Sequence, residues 1–98
     1  MIFVIASIKT TDEDRPGLIE AARVCIEETR KESGNLSYDL HQSVTDPNAF
    51  VFVERWQDRE VLEAHFASKH LAVWREIAGP LIVEKSVEII SPESVEGL

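Results

Sequence analysis

The sequence predicts a single α+β domain in the order strand, helix, strand, strand, helix, strand, which is the ferredoxin-like βαββαβ arrangement. Three observations carry this expectation. The chain opens on an apolar run rich in β-branched residues, Ile2 to Lys9. A segment with apolar residues every three or four positions follows it. Then come two alternating runs separated by Thr45-Asp46-Pro47-Asn48, which is a hairpin with a turn between its strands.

The elements follow in order. Residues 2–9 suit a central strand buried on both faces. Pro16 fits the first turn of a helix, where its missing N–H costs nothing. Leu18, Ala22, Cys25 and Thr29 form one stripe flanked by Ile19 and Ile26, while Glu20, Arg23, Glu27, Arg30 and Lys31 lie mainly opposite. Gly34 can take the left-handed conformation that ends a helix. In residues 35–44, Leu36, Tyr38, Leu40, Gln42 and Val44 share one face, and Ser37, Asp39, His41 and Ser43 the other. In residues 49–56, Phe50, Phe52, Glu54 and Trp56 point one way and Val51, Val53 and Arg55 the other. Asp58 caps a helix running to about Ala67, and Ser68 caps a second short one. Gly79-Pro80 stops that helix, and residues 81–90 form the last strand. Residues 1–92 are expected to form the one domain, with 93–98 a polar tail.

Composition narrows the function classes. The 98 residues suffice for one small core, and 44% of them are hydrophobic. The formal net charge of −8 and the scattered basic residues argue against nucleic acid and anionic membranes, which need a basic patch. Cys25, the sole cysteine, falls on the apolar helix stripe and reads as a buried thiol. The apolar start lacks a basic leader and a cleavage site, so it reads as a strand, and the cytoplasm is the expected compartment. Helices on one side of a four-stranded sheet leave the other face open. Here that face carries apolar residues, so a second copy of the chain is expected to cover it.

Among candidate site residues, Glu54 is the most informative. Strand parity puts it beside Phe52 and Trp56 on a buried face, where an unpaired carboxylate costs several kcal/mol. It therefore needs a partner, with His65 the first candidate and Arg75 the second, or it must be protonated. His65 could serve as a base near neutral pH with Glu54 holding its tautomer. Trp56, Trp74, Phe66 and Tyr38 could wall an apolar pocket, or be plain core. His70 lies five residues after His65, about 140° around a continuous helix, so the two make a poor metal pair and no metal is expected. There is no phosphate-binding glycine loop or dinucleotide fingerprint, so no cofactor is expected.

Three segments together resemble the antibiotic-biosynthesis-monooxygenase-like family, quinol monooxygenases included: Gly34 to Leu40, with Tyr38 at its fifth position; Phe50 to Trp56, ending Glu54-Arg55-Trp56; and Ala64 to His70, with His65 and His70 about a break. The resemblance spans about residues 2–90. It implies a dimeric α+β barrel and cofactor-free oxidation of a small phenol or quinol, in which the substrate anion itself reduces dioxygen. On that reading His65 is the base, Glu54 its orienter, and Tyr38, Trp56, Phe66, His70, Trp74 and Arg75 contact substrate. The haem-degrading branch has an Asn on its first strand, where this chain has Ala6-Ser7, so haem chemistry is not implied. Two other readings stay open: a non-catalytic stress-related or ligand-binding dimer, and an isomerase acting on a small metabolite.

Overall fold

A computed structural model describes residues 1–98. In chain order the elements are β1 (Ile2–Lys9), α1 (Arg15–Thr29), β2 (Asn35–Gln42), β3 (Ala49–Trp56), α2 (Arg59–Phe66), α3 (Lys69–Ala78), a 3-10 turn (Gly79–Leu81) and β4 (Glu84–Ile90). The strands form one antiparallel sheet in the order β2-β3-β1-β4. This is the ferredoxin-like α+β arrangement, with β1 central as its two-faced apolar sequence requires.

The core lies on one face of this sheet. Val4, Ile8, Tyr38, Phe50, Phe52 and Trp56 from the strands meet Leu18, Ala22 and Cys25 of α1, Leu62 of α2, and Leu71 and Ala78 of α3. These are the stripe positions of the helices and the alternate positions of the strands, so burial follows the two periodicities directly. Burying each large apolar side chain stabilises the fold by about 1.5–3 kcal/mol. No helix is long and apolar enough to cross a membrane.

Local signals place the helix ends. Asp58 accepts a hydrogen bond from the Val61 N–H, and Ser68 Oγ accepts one from the Leu71 N–H. These two caps divide α2 from α3. Gly34 takes φ +88°, and its carbonyl accepts from the Gln57 N–H at 2.9 Å. A Cβ at position 34 would come within 2.6 Å of Val61 Cγ1. Gly34→Ala combines a left-handed backbone penalty with overpacking and is expected to cost roughly 2–4 kcal/mol. Urea denaturation measures this directly, and an unchanged midpoint would show that Val61 yields freely.

Three strand expectations need correction. β2 and β3 slip register between Asn35 and Ser37, leaving Leu36 as an extra residue. The bulge turns Leu36 out, 56% exposed, off the face it was expected to share with Tyr38. Val44 lies beyond the strand end and is exposed. The last strand starts at Glu84 rather than 81, because Pro80 sits in the 3-10 turn that continues from α3. All of β4 is solvent-exposed. On the sheet face away from the helices, Phe3, Ile5, Val51 and Val53 are only half-buried, with the Arg55 guanidinium 5.2 Å from the Phe3 ring centre.

Candidate functional site

Glu54 lies on the inner face of β3, between Tyr38 of β2 and Val4 of β1 on one rung of the sheet. It is 5% exposed. Its partner is neither His65 nor Arg75. The Trp56 indole N–H donates to Glu54 Oε1 at 3.0 Å. The two residues are neighbours on one face of the same strand, so the nearest donor was two positions away in the sequence. Burial pushes the Glu54 carboxyl up to about 7, against the opposing pull of the indole hydrogen bond, and the Glu32 carboxylate raises it further.

His65, on α2, is buried and turns its Nδ1 to Glu32 Oε2 at 2.6 Å. His70, on α3, donates from Nε2 to the same oxygen at 2.8 Å. The expectation that these histidines diverge assumed one continuous helix. The chain breaks at Ala67-Ser68 instead. Ser68 Oγ donates to the His65 carbonyl at 2.7 Å while capping α3. The corner redirects the second helix and brings both rings onto the turn after α1, where Glu32 sits. Burial lowers the His65 pKa, and the Glu32 hydrogen bond and charge oppose that shift.

The remaining predicted residues fall into two groups. Tyr38 is core: its ring packs against Phe52, Trp56 and His65, and its hydroxyl lies 3.8 Å from Cys25 Sγ. Trp56 is fully buried, with its ring centre 4.6 Å from that of His65. Phe66 is half-buried at the α2–α3 corner, where Arg75 Nη1 donates to its carbonyl at 3.3 Å. Arg75 thus braces the corner from the surface. Glu54, Trp56 and His65 are buried, and none of the three lines either of the two hollows of about 400 Å³.

Trp74 and His70 do line one. A groove of about 390 Å³ runs between α1 and α3, walled by Val24, Val73, Trp74 and Ile77, with Cys25 among its lining and Glu28, Lys69 and His70 as its charged and polar groups. The Trp74 ring meets Phe52 edge-on at 5.4 Å, which ties the groove wall to the sheet. The Cys25 thiol is buried, and burial raises its pKa, so it stays protonated and inert near neutrality. A second hollow of about 400 Å³ lies on the open sheet side, lined by residues that include Ser7, Lys9, His41, Val51 and Glu84.

Sequence reasoning missed Glu32 and the α1–α3 groove. Glu32 follows the last helical turn and reads as one more exposed acid in a polar loop. The available signal was the Ser68 cap: once α2 and α3 are separate helices, five-residue spacing no longer keeps the two histidines apart.

The sequence model described as “Antibiotic biosynthesis monooxygenase” matches residues 1–77. “Putative monooxygenase YcnE” of Bacillus subtilis is 34% identical over 70 residues, 71% of this chain and 74% of that protein. “Putative monooxygenase Rv0793” of Mycobacterium tuberculosis is 32% identical over 93% of this chain and 90% of its own length. The solved structure of Rv0793 superposes with a TM-score of 0.90 over 98% of both chains. A structure titled “Putative antibiotic biosynthesis monooxygenase from Nitrosomonas europaea” also gives 0.90, at 26% identity, over 96% of this chain and all of that one.

Proposed function

The chain belongs to the antibiotic biosynthesis monooxygenase family, and from that premise we propose that it is a cofactor-free monooxygenase acting on a small phenol or quinol bound in the α1–α3 groove. One observation carries the reading. His70 stands on the lip of the apolar groove, and its Nε2 is anchored to a carboxylate that also anchors His65. With Nε2–H donating to Glu32, His70 Nδ1 is the nitrogen left to accept a proton. An orienting carboxylate that fixes the tautomer of a histidine base is a recurring catalytic device. The base therefore shifts from His65, which is buried, to His70, which is 20% exposed. Glu32 takes the positioning role first expected of Glu54.

The chemistry asks little more of the protein. His70 removes the phenolic proton, and Lys69 on the same groove favours the resulting anion. The electron-rich anion passes electrons to dioxygen and a carbon–oxygen bond forms. Loss of water then breaks the O–O bond and leaves a quinone carbonyl, so one oxygen atom enters product and the other leaves as water. Trp74 and the aliphatic wall exclude solvent from the anion. Oxygen uptake with a panel of hydroquinones and anthrones, in the presence of chelator, tests this. Wild type should turn over, and His70→Gln should be slower by about 100-fold or more. Rates no faster than buffer for both proteins would remove the reading.

The same proposal includes a homodimer built on the open sheet face. Half-buried Phe3, Ile5, Val51 and Val53, beside a β4 exposed on both sides, make an apolar surface that no helix of this chain covers. Sedimentation at micromolar concentration should give twice the chain mass, and Val53→Asp should give a monomer. A wild-type chain that sediments as a monomer would refute this part. The burial of Glu54 and His65 away from the groove favours a second reading, in which the buried polar residues only stabilise a ligand-binding dimer. It predicts ligand binding in the groove without oxygen uptake.

A further inference from the structure

We propose that Glu32, His65 and His70 together bind one divalent first-row transition cation, with zinc(II) as the best fit. Their ligand atoms, one from each residue, all lie within 4.8 Å of one another. The residues come from three separate elements: the turn after α1, helix α2 and helix α3. Such convergence is not a by-product of helical spacing, since the α2–α3 corner at Ser68 is what creates it.

The donor chemistry selects the cation. Two imidazole nitrogens and one carboxylate oxygen form a borderline set that suits zinc, cobalt or nickel, whereas magnesium and calcium want oxygen ligands. The charge balance points the same way. Glu32 has no lysine or arginine within salt-bridge distance, and its recorded ion-pair partners are these two histidines. A dication would neutralise this largely buried carboxylate.

The three ligand atoms must adjust to reach metal-site spacing. Neighbouring ligand atoms in a tetrahedral site with bonds of about 2.0–2.1 Å stand roughly 3.3–3.4 Å apart. Here the nitrogen–oxygen separations are 2.6 and 2.8 Å. The two nitrogen–oxygen edges must open by a fraction of an ångström, which Glu32, on a turn, can supply, while the nitrogen–nitrogen edge, within 4.8 Å, must come to the same tetrahedral spacing. Each imidazole would move its ring proton to the other nitrogen as the metal takes its place. No hydrogen bond from the protein holds His65 Nε2 or His70 Nδ1, so no outer partner stiffens the ligands. Affinity is therefore expected in the micromolar range, about 1–10 µM, rather than tighter. Three protein ligands leave a further coordination position. That position could take water or another small oxygen ligand.

The inference goes beyond the catalytic reading: a bound cation would leave the His70 proton on Nδ1 and remove that base, so the two describe alternative states of the site, and they are measured apart, metal binding without substrate and oxygen uptake with chelator present. The full chain, stripped of metal and free of any histidine tag, is titrated with zinc chloride by calorimetry. It is then titrated with cobalt(II), followed by visible absorption and by quenching of Trp56, whose ring is 4.6 Å from that of His65. Wild type should take up one ion per chain, with the intense absorption of tetrahedral cobalt and a zinc-dependent rise in Tm. His70 is 20% exposed and Glu32→Gln is nearly isosteric, so both His70→Gln and Glu32→Gln should fold, as circular dichroism would verify. Both should bind at least 10-fold more weakly and lose the Tm shift. His41→Gln, on the opposite sheet face, should bind like wild type. No saturable zinc binding below about 100 µM, or equal binding by wild type and His70→Gln, would overturn the assignment.

Discussion

Trp56→Phe is expected to destabilise the domain by about 2–4 kcal/mol at pH 8, because the smaller ring keeps part of the volume whose full truncation to alanine costs about 3–5 kcal/mol. Trp56 is fully buried, and its ring meets Tyr38 at 6.3 Å and His65 at 4.6 Å. Phenylalanine fills part of that volume but has no N–H. The loss of the donor leaves Glu54 Oε1 buried and without a partner, a penalty of about 1–3 kcal/mol that adds to the cavity cost. A domain of this size has only roughly 5–15 kcal/mol in total, so the variant should sit near its unfolding threshold. The deficit should shrink at pH 5, where Glu54 is protonated in the folded wild type and the lost hydrogen bond is to a neutral group. Urea denaturation at both pH values measures this. A deficit independent of pH would mean that the indole N–H matters little and that the loss is purely one of volume.

Glu54→Gln should abolish much of the chain's pH-dependent stability. The folded carboxyl titrates near 7 against an ordinary value of 4.5, so the native state holds its proton more tightly than the unfolded chain. Below 4.5 both states are protonated and nothing is lost. As pH rises from 4.5 to 7 the unfolded chain gives up its proton first, and stability falls across that window. Above 7 the full penalty stands, roughly 3 kcal/mol at about 1.4 kcal/mol per unit of separation. His65 acts in the opposite sense: its lowered pKa favours the neutral ring, so stability falls as pH drops below its ordinary 6.5. Because the two effects overlap, the informative quantity is the difference between wild type and variant. Glutamine keeps a carbonyl to accept the Trp56 N–H and never ionises. The variant should therefore match the wild type near pH 4.5 and exceed it at pH 8. A constant difference across that range would show that Glu54 ionises freely in the folded state.

Most elements of the fold were legible because each rests on local chemistry. The caps at Asp58 and Ser68, the positive φ at Gly34 and the stripe from Leu18 to Thr29 depend only on residues within a turn or two of themselves. Strand parity likewise placed Glu54 and Trp56 on the buried face. The misreadings came where a local rule was applied across a discontinuity. Leu36 fell on the wrong side of a bulge, and His65 and His70 were compared on a helix that stops between them. Glu54 was assigned a distant partner, although the indole two residues along its own strand face was the nearer donor.

By itself, the sequence determined the kind of elements, their order, which faces are apolar and that Glu54 had to be buried. These follow from periodicity and capping, which act over a few residues. Only the tertiary structure decided that Glu32 meets His65 and His70, that Glu54 is held by Trp56, and that the accessible groove lies between α1 and α3. Those outcomes depend on the angle at the Ser68 corner and on how tightly the core closes over the sheet. Both are set by the packing of side chains far apart in the chain, for which no local pattern stands in.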